Sequence, residues 1–488
     1  MKYILKLIII TVIAIMSVLP LYHSNAYAKD NGDQWDKIKE RGELRVGLSA
    51  DYAPYEFEKN EHGKTKYSGI DVEIAKKIAK DNHVKLKIVN MQFDSLLGAI
   101  KTGKIDMIIS GMTPSPERKK EVDFSDAYLQ ADEKMLIRKS DADKYKKKED
   151  FNNKKLGVQK QTDQEKVAKS EFENADVHSL TRIPEVILSL KSNKVDGMII
   201  EGPVGEAYLK QNPELQFAKG VKFNEPSKDT SIALPKNSPE LMKRVNASIK
   251  DVKDNNLIAK YKDKAADDLA SDNSNFFTKY GSFFLKGIKN TVLVSAIGVL
   301  AGSLFGAIIA LCKLSTFKPL RWLASIYIEF LRGTPLLVQV FLVYFGTTAA
   351  LGLDMSALIC GTIALVINSS AYIAEIIRAG INAVDKGQTE AARSLGLNYR
   401  QTMSSIILPQ AIKNILPALG NEFVTLIKES SIVSVIGVSE IMFNAQVVQG
   451  ASFDPFTPLL VAALLYFVLT FTLSRLLYFV EGRLKVSD

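Results

Sequence analysis

Over residues 40–262 the chain alternates short apolar runs with segments of helical spacing. In the segment 69–82, Ile70, Ile74 and Ile78 recur every four residues and mark one face of a helix. Further strands are predicted at 44–50, 84–91, 105–112, 156–159 and 195–200, and further helices at 95–104 and from Gln164. Strands that alternate with helices predict α/β units with mostly parallel sheets, in which ligands bind beyond the carboxyl ends of the strands.

Long apolar segments dominate the second half of the chain. Five are predicted to span a membrane, at about 284–312, 320–348, 355–377, 411–436 and 457–480. Each is long enough to cross a hydrocarbon core of about 30 Å at a rise of about 1.5 Å per residue. Gly333 and Pro335 lie inside the second segment and predict a break in that helix. Gly298, Gly302 and Gly306 recur every four residues in the first segment and predict close helix packing.

The positions of the basic residues predict an orientation. Lys and Arg are concentrated in the loops after the first and third apolar segments and in the carboxyl-terminal tail. The other two loops, near 349–354 and 437–456, contain neither residue. Because cytoplasmic loops carry an excess of Lys and Arg, the amino end of the membrane part is predicted outside the cell membrane and the tail inside.

The first residues have the features of a secretory signal. Lys2 and Lys6 accompany an apolar run, and Ala26, Tyr27 and Ala28 form an A-x-A cleavage site. We predict cleavage after Ala28, with an uncleaved anchor as the alternative. The predicted divisions are a signal peptide at 1–28, an extracellular domain at 29–263, a polar linker at 264–282 and a membrane domain at 283–488 with a cytoplasmic loop at 381–410.

Composition narrows the class of protein. The chain has 63 Lys and Arg against 54 Asp and Glu, a net charge of +9, with the charges gathered before residue 281. This segregation excludes disorder, collagen, a coiled coil and a purely soluble enzyme. Basic and acidic residues are interleaved, so no nucleic acid partner is expected. Cys312 and Cys360 lie in apolar stretches and the four His are scattered, so we expect no disulfide framework, metal or cofactor.

The predicted cytoplasmic loop contains a spaced motif. Glu390, Ala391 and Ala392 are followed by Gly396 and, nine residues later, by Ile-Ile-Leu-Pro at 406–409. This resembles the EAA-x3-G-x9-I-x-LP signature of the membrane subunits of ATP-binding-cassette importers. The resemblance implies a helix-turn-helix that docks on an ATPase, and the alternative is an ordinary amphipathic surface helix. The chain has no G-x4-G-K-[ST] motif, so ATP hydrolysis is expected from a separate partner and the chain itself is not expected to be an enzyme.

Other stretches are similar to importers of polar amino acids. Residues 331–339, 368–375 and 428–431 resemble their permeases, and residues 40–262 resemble their binding proteins. The binding-protein resemblance rests on four blocks, at 52–57, 69–72, 110–118 and 122–125. It implies a two-lobed α/β domain of the type II periplasmic-binding-protein class, followed by an all-α five-helix importer transmembrane domain.

The resemblance also implies roles for residues of the cleft. Arg118 corresponds to the arginine that forks onto the ligand α-carboxylate, and Glu201 to the acid that binds the α-ammonium, where aspartate is commoner. The remaining expected contacts are the aromatic pair and the small polar groups of both lobes: Tyr52, Phe93, Ser110, Gly111, Thr113, Gln159 and Thr162. The chemistry of the ligand favours an arginine independently of the resemblance, because a planar carboxylate is matched by the guanidinium fork and not by an ammonium.

These observations predict a binding domain fused to the permease subunit of an importer for a polar amino acid. Glutamine is the first candidate, with glutamate, arginine, histidine and cystine behind it. Five spans are few for a closed route through the lipid bilayer, so a homodimer of this chain with two ATPase copies is expected. The rivals are a ligand-gated amino acid receptor channel, an enzyme built on the binding-protein fold and a binding module without transport.

Overall fold

The computed structural model describes residues 33–61, 64–225, 227–270 and 275–485. The predicted signal peptide at 1–28 lies outside the described residues. The amino-terminal part is an α/β domain of two lobes, and the carboxyl-terminal part is a helical domain.

Lobe 1 is built on a five-stranded sheet in the order β5-β1-β6-β14-β7. Strands β5, β1 and β6 are parallel, and β14 runs antiparallel to β6 and β7. A separate antiparallel sheet contains β2, β3 and β4. The strands of lobe 1 are β1 (Glu43–Leu48), β2 (Asp51–Tyr52), β3 (Glu56–Glu61), β4 (Lys64–Ser68), β5 (Lys85–Asn90), β6 (Met107–Ile108), β7 (Asp123–Phe124) and β14 (Ala233–Leu234). Its helices are Gln34–Arg41, Ile70–Asp81, Leu96–Lys101, Pro116–Glu121, Pro239–Asp254 and Leu257–Ala270.

Lobe 2 is built on a second sheet in the order β10-β9-β11-β8-β12, with β13 also paired to β8. Only β10, β9 and β11 are parallel to one another. The strands are β8 (Leu129–Arg138), β9 (Lys155–Gln159), β10 (Asp176–Leu180), β11 (Gly197–Glu201), β12 (Leu215–Phe217) and β13 (Ser227–Thr230). The helices are Asp163–Glu171, Ile183–Lys191 and Gly202–Gln211.

The two-lobed α/β class is as predicted, and two details of the strand prediction need correction. Each main sheet is mixed, because the chain crosses between the lobes after β7 and after β13 and the returning strands enter antiparallel. The strand predicted over 105–112 is limited to β6. It ends early because Gly111 turns into the left-handed region with φ +55°, which starts the wall of the cleft.

Within the described residues, the helical domain has three helices that are long and apolar enough to cross a membrane: Phe276–Lys313, Ala357–Asn382 and Thr457–Phe479. Two further bent helix pairs bring the number to five when each pair is counted as one span. Lys318–Gly333 and Leu336–Leu351 meet at 106°, and the break falls at Thr334 and Pro335 as the sequence predicts. The second pair, Tyr399–Ile436 with Ile441–Ser452, is bent by 50°.

Small residues let the first long helix approach the third predicted span closely. A Cβ placed on Gly302 would stand 2.1 Å from Ser369 Oγ, and one on Gly306 would stand 2.8 Å from the Ser370 carbonyl oxygen. A side chain at Gly306 would push against backbone and one at Gly302 would displace the Ser369 hydroxyl, so the predicted close packing of this glycine stripe is confirmed.

The segment 264–282 was predicted as a linker, but its described residues include the ends of two helices. Helix Leu257–Ala270 passes through the predicted boundary at 263, and helix Phe276–Lys313 begins before residue 283. Ala265 is buried in the core of lobe 1, and Lys59 pairs with Asp268 at 2.6 Å. Helix Leu257–Ala270 therefore packs as part of the α/β domain.

Candidate ligand-binding cleft

The two lobes enclose a cavity between the carboxyl ends of their strands. All nine residues predicted for ligand contact line it: Tyr52, Phe93, Ser110, Gly111, Thr113, Arg118, Gln159, Thr162 and Glu201. Four more lining residues are polar, namely Ser49, Asp51, Asp163 and Gln164. The lobes touch across this cavity, because Arg118 Nη2 of lobe 1 donates to the Gln161 carbonyl of lobe 2 at 2.7 Å.

Arg118 is placed by a short helix. Helix Pro116–Glu121 starts after Ser115, whose Oγ accepts from the Arg118 backbone N–H at 3.3 Å. The Arg118 side chain is buried and donates from Nη1 to the Thr113 carbonyl at 2.8 Å. Its burial lowers the pKa of the guanidinium, which nevertheless keeps its charge. Arg118 forms no salt bridge with any residue that the structure describes, so its charge is available to an anionic group.

The wall of lobe 1 is fixed by buried acids. Asp71 accepts from the Gly111 N–H at 2.8 Å and from the Tyr128 hydroxyl at 2.8 Å. Burial raises the pKa of Asp71 to about 6. Gly111 is one of the residues predicted for ligand contact, and in this structure its N–H is donated to Asp71. Ser110 Oγ likewise donates to Glu56 at 2.5 Å, so both groups hold the wall in shape.

Aromatic rings flank the cavity. Tyr52 stacks on Tyr55 with ring centres 5.4 Å apart, and its ring lies against Gly111, where an added Cβ would stand 2.8 Å from it. The Phe93 ring lies 5.4 Å from the Arg118 guanidinium carbon, a cation–π distance. The two aromatic residues predicted for ligand contact, Tyr52 and Phe93, therefore both lie at the cavity, each beside a neighbouring side chain.

Lobe 2 contributes groups at the ends of β9 and β11. Thr162 caps helix Asp163–Glu171 and donates from Oγ1 to the Gln159 carbonyl at 2.6 Å. Gln159 Nε2 donates to the Thr181 carbonyl at 3.2 Å. These bonds fix the positions of both predicted contacts from within lobe 2.

Glu201 is the last residue of β11 and is buried, with no hydrogen-bond partner for Oε2 among the described residues. Burial raises the pKa of Glu201 to about 8, and the nearby Glu133 carboxylate adds to the rise. Burial also raises the pKa of Glu133 to about 7. A carboxylate in such a site gains most from a cation that enters beside it.

Of the four lining residues that were not among the predicted contacts, Asp163 and Gln164 belong to lobe 2. Asp163 pairs with Lys228, and Gln164 Nε2 donates to Glu133 at 3.0 Å. Their position directly after the capping Thr162 was the available signal, because side chains of the first helical turn point toward the same edge as the cap.

The predicted cytoplasmic loop at 381–410, here called the motif loop, forms a second candidate surface that is remote from the cleft in sequence. Helix Lys386–Ser394 carries Glu390 and Ala391 on exposed positions and Ala392 on a buried one. Gly396 follows with φ +84° and nothing within 4 Å of an added Cβ. The turn thus needs glycine for its backbone conformation, and Leu395 beside it is 81% exposed.

Comparison with known proteins divides the chain at the same place as the fold. Residues 44–267 match the family of bacterial extracellular solute-binding proteins, family 3. Residues 302–486 match the binding-protein-dependent transport system inner membrane component.

Individual relatives are similar to one part or the other. An arginine transport system permease protein of Bacillus subtilis is 44% identical over 206 residues, which are 42% of this chain and 94% of that protein. A putative glutamine transport system permease protein of Rickettsia bellii is 43% identical over 205 residues, 42% of this chain and 94% of that protein. A crystal structure of an amino acid ABC transporter substrate-binding protein from Streptococcus pneumoniae, bound to L-arginine, is 36% identical with a TM-score of 0.46, covering 48% of this chain and 98% of that one.

Proposed function

The chain belongs to the amino acid importers of the ATP-binding-cassette class, with binding domain and permease in one polypeptide, and from this we propose that it imports a polar α-amino acid, glutamine first. Members of this family are transport subunits and not enzymes, and their ATPase is a separate protein. The α/β domain captures the amino acid, and the helical domain provides the route through the membrane.

The proposal rests on the presence of Arg118 and Glu201 in the lining of one cavity, on opposite lobes. Arg118 belongs to lobe 1 and Glu201 to lobe 2, and both side chains are buried without a salt-bridge partner among the described residues. A zwitterion supplies a carboxylate to one and an ammonium to the other. Only closed lobes satisfy both ends, so ligand binding stabilises the closed form.

The remaining charges favour a neutral ligand side chain. Asp51 pairs with Arg182 at 2.7 Å, and Asp163 pairs with Lys228, so neither carboxylate of the lining needs a cation from the ligand. Once Arg118 and Glu201 hold the zwitterion, the positive and negative charges of the cavity lining are balanced. Glutamine fits this balance and can bond through its amide to the polar lining.

Arginine is the second candidate, on account of Glu133. This carboxylate lies behind Gln164 and has one oxygen without a hydrogen-bond partner among the described residues. With a pKa of about 7 it is half ionised at neutral pH and can be fully ionised by a cation in the cleft. The similarity to the B. subtilis arginine permease protein points the same way.

The cleft and the motif loop indicate how the importer is arranged in the membrane and where its ATPase binds. We place the α/β domain outside the cell membrane and the motif loop and tail in the cytoplasm, in agreement with the distribution of Lys and Arg. Leu395 and Tyr399 are exposed at 81% and 63% beside Gly396, which suits an apolar contact with the ATPase. Two copies of this chain would enclose the path, each with one ATPase copy.

Calorimetry of the full chain in lipid nanodiscs against the common amino acids tests the proposal. We expect L-glutamine to bind most tightly. If the Glu133 carboxylate sets the preference for the ligand side chain, L-arginine should bind most tightly instead. Arg118→Ala should remove the binding of either amino acid. The control is Arg321→Ala, which changes an arginine of the helical domain and should bind normally. Failure of every amino acid to bind the wild-type chain would refute the proposal.

A further inference from the structure

Helix Ile441–Ser452 of the helical domain lies against both lobes of the α/β domain. It contacts β2 and β3 of lobe 1 and helix Ile183–Lys191 of lobe 2. The approach is close, because a Cβ on Gly450 would stand 2.7 Å from Asp51 Cα. This one helix therefore touches both walls of the closed cleft.

Arg182 joins the three parts at this place. It precedes helix Ile183–Lys191 in lobe 2, and its side chain is buried. Its Nε stands 2.7 Å from Asp51 Oδ2 in lobe 1, and its Nη1 donates to Gln446 Oε1 at 2.5 Å in the helical domain. Nη2 also reaches the Gln446 carbonyl oxygen at 3.4 Å. Arg182 therefore contacts both partners at once, Gln446 through a hydrogen bond and Asp51 through an ion pair that lacks hydrogen-bond geometry.

Asp51 connects the cavity of the cleft to Arg182. It lines the cavity, and its Oδ1 accepts from Ser49 Oγ at 2.8 Å. It is 2% exposed with the lobes closed, and separation of the lobes would take Arg182 away from its carboxylate. Loss of one partner of a buried charge pair is strongly unfavourable. The position of Arg182 is thus set by whether lobe 2 is closed on lobe 1.

Each lobe is also anchored to the helical domain by contacts of its own. In lobe 2, Asn212 Nδ2 donates to the Phe453 carbonyl at 3.1 Å, and the rings of Tyr208 and Phe453 meet edge to face at 5.0 Å. In lobe 1, Arg45 pairs with Asp354 at 3.0 Å. With both anchors in place, the lobes cannot separate while both remain docked.

We propose that Arg182 is a positioning residue that couples closure of the lobes to their docking on helix Ile441–Ser452. It does not line the cavity and acts through Asp51 on one side and Gln446 on the other. Because coupling is reciprocal, a docking contact must raise ligand affinity by the factor by which ligand raises docking. The inference rests on the proposed function, since it requires an amino acid in the cleft.

The test is the affinity of the full chain for L-glutamine and L-arginine, measured by calorimetry in nanodiscs. Gln446→Ala removes the docking partner of Arg182, and Gln446 is not among the residues that line the cavity, so we expect a loss of affinity of about fivefold or more that comes from docking. The control is Gln449→Ala on the same helix, whose side chain donates to the Pro455 carbonyl at 2.6 Å within the helical domain. It should leave affinity within about twofold, which a general loss of packing would not.

A double variant separates coupling from a structural effect. In the Arg182→Ala background, Gln446→Ala should have no further effect on affinity, because the coupling is already lost. Wild-type affinity in Gln446→Ala, or the same loss with and without Arg182, would overturn the inference while leaving the proposed function intact. Absence of binding in the wild-type chain would overturn both.

Discussion

The pKa of Glu201 makes ligand binding depend on pH in a calculable way. In the empty closed cleft, burial and Glu133 raise this pKa to about 8, so the side chain is mostly protonated at neutral pH. An ammonium group beside it requires the ionised form. Ligand binding must therefore release a proton, and affinity must rise with pH until Glu201 ionises by itself.

The size of the effect follows from the ionised fraction. With a pKa of about 8, about 1% of Glu201 is ionised at about pH 6 and about half at about pH 8, so affinity should increase about 50-fold between them. Free amino acids keep their ammonium protonated over this range. Calorimetry in two buffers of different ionisation enthalpy measures both the affinity and the released proton.

Two variants isolate the group responsible. Glu201→Gln should bind at least tenfold more weakly at about pH 8, a loss of about 1.4 kcal/mol, and show a flat pH profile. Glu214→Gln, an acid on the surface of lobe 2 that pairs with Lys191, should keep the wild-type profile. A wild-type affinity that is constant between these pH values, or a pH profile that survives in Glu201→Gln, would refute the assignment of Glu201 to the ammonium.

The stability of the ligand-free chain depends on pH in the opposite direction from ligand affinity. The folded-state pKa of Glu201 lies above its ordinary value of 4.5, so its contribution to stability is present below that value and is lost as pH rises through about 8. Glu201→Gln should therefore raise the melting temperature of the ligand-free chain at about pH 8 and change it little at about pH 4.

Substitutions at four other positions test the remaining parts of the account. Arg118→Lys should weaken binding at least about tenfold in calorimetry, because one ammonium cannot replace the planar fork, and wild-type affinity would contradict its role. Phe93→Ala removes the ring 5.4 Å from the guanidinium and should weaken binding about fivefold, whereas Phe93→Tyr should retain it; equal losses in both would contradict the stacking role. Gly396→Val forces a β-branched residue to φ +84° and should abolish ligand-stimulated ATP hydrolysis with ligand affinity unchanged. Glu390→Ala leaves that turn intact and should lower the same hydrolysis, and normal hydrolysis in both variants would show that the loop does not dock the ATPase.

The cleft was largely predictable because its residues occur in compact blocks at the carboxyl ends of strands. Arg118, Gly111 and Thr113 lie within the single block 110–118, so they are close in space because they are close in sequence. The break at Thr334 and Pro335 was predictable for the same reason, since proline and the residue before it restrict the backbone locally.

The features that were not predicted depend on contacts between distant parts of the chain. Strand β3 has the sequence EFEKNE, which is typical of a solvated segment, yet Glu56 and Glu58 are buried. Helix Ile441–Ser452 contacts this strand. Similarly, Arg182 and Asp51 are 131 positions apart, and no local pattern marks them as partners. The linker prediction differed because helix Leu257–Ala270 is held by tertiary burial of Ala265 and not by its own polar composition.

Uptake of radiolabelled L-glutamine and L-arginine by vesicles that contain the full chain and its ATPase subunit tests the central claim most directly. Accumulation of one of them should require ATP on the side of the motif loop and should cease in Arg118→Ala. Flux that only equilibrates the two sides without ATP would identify a channel, and binding without any flux would identify a binding module. Either result would contradict the conclusion that this chain is the binding and membrane-spanning subunit of an importer.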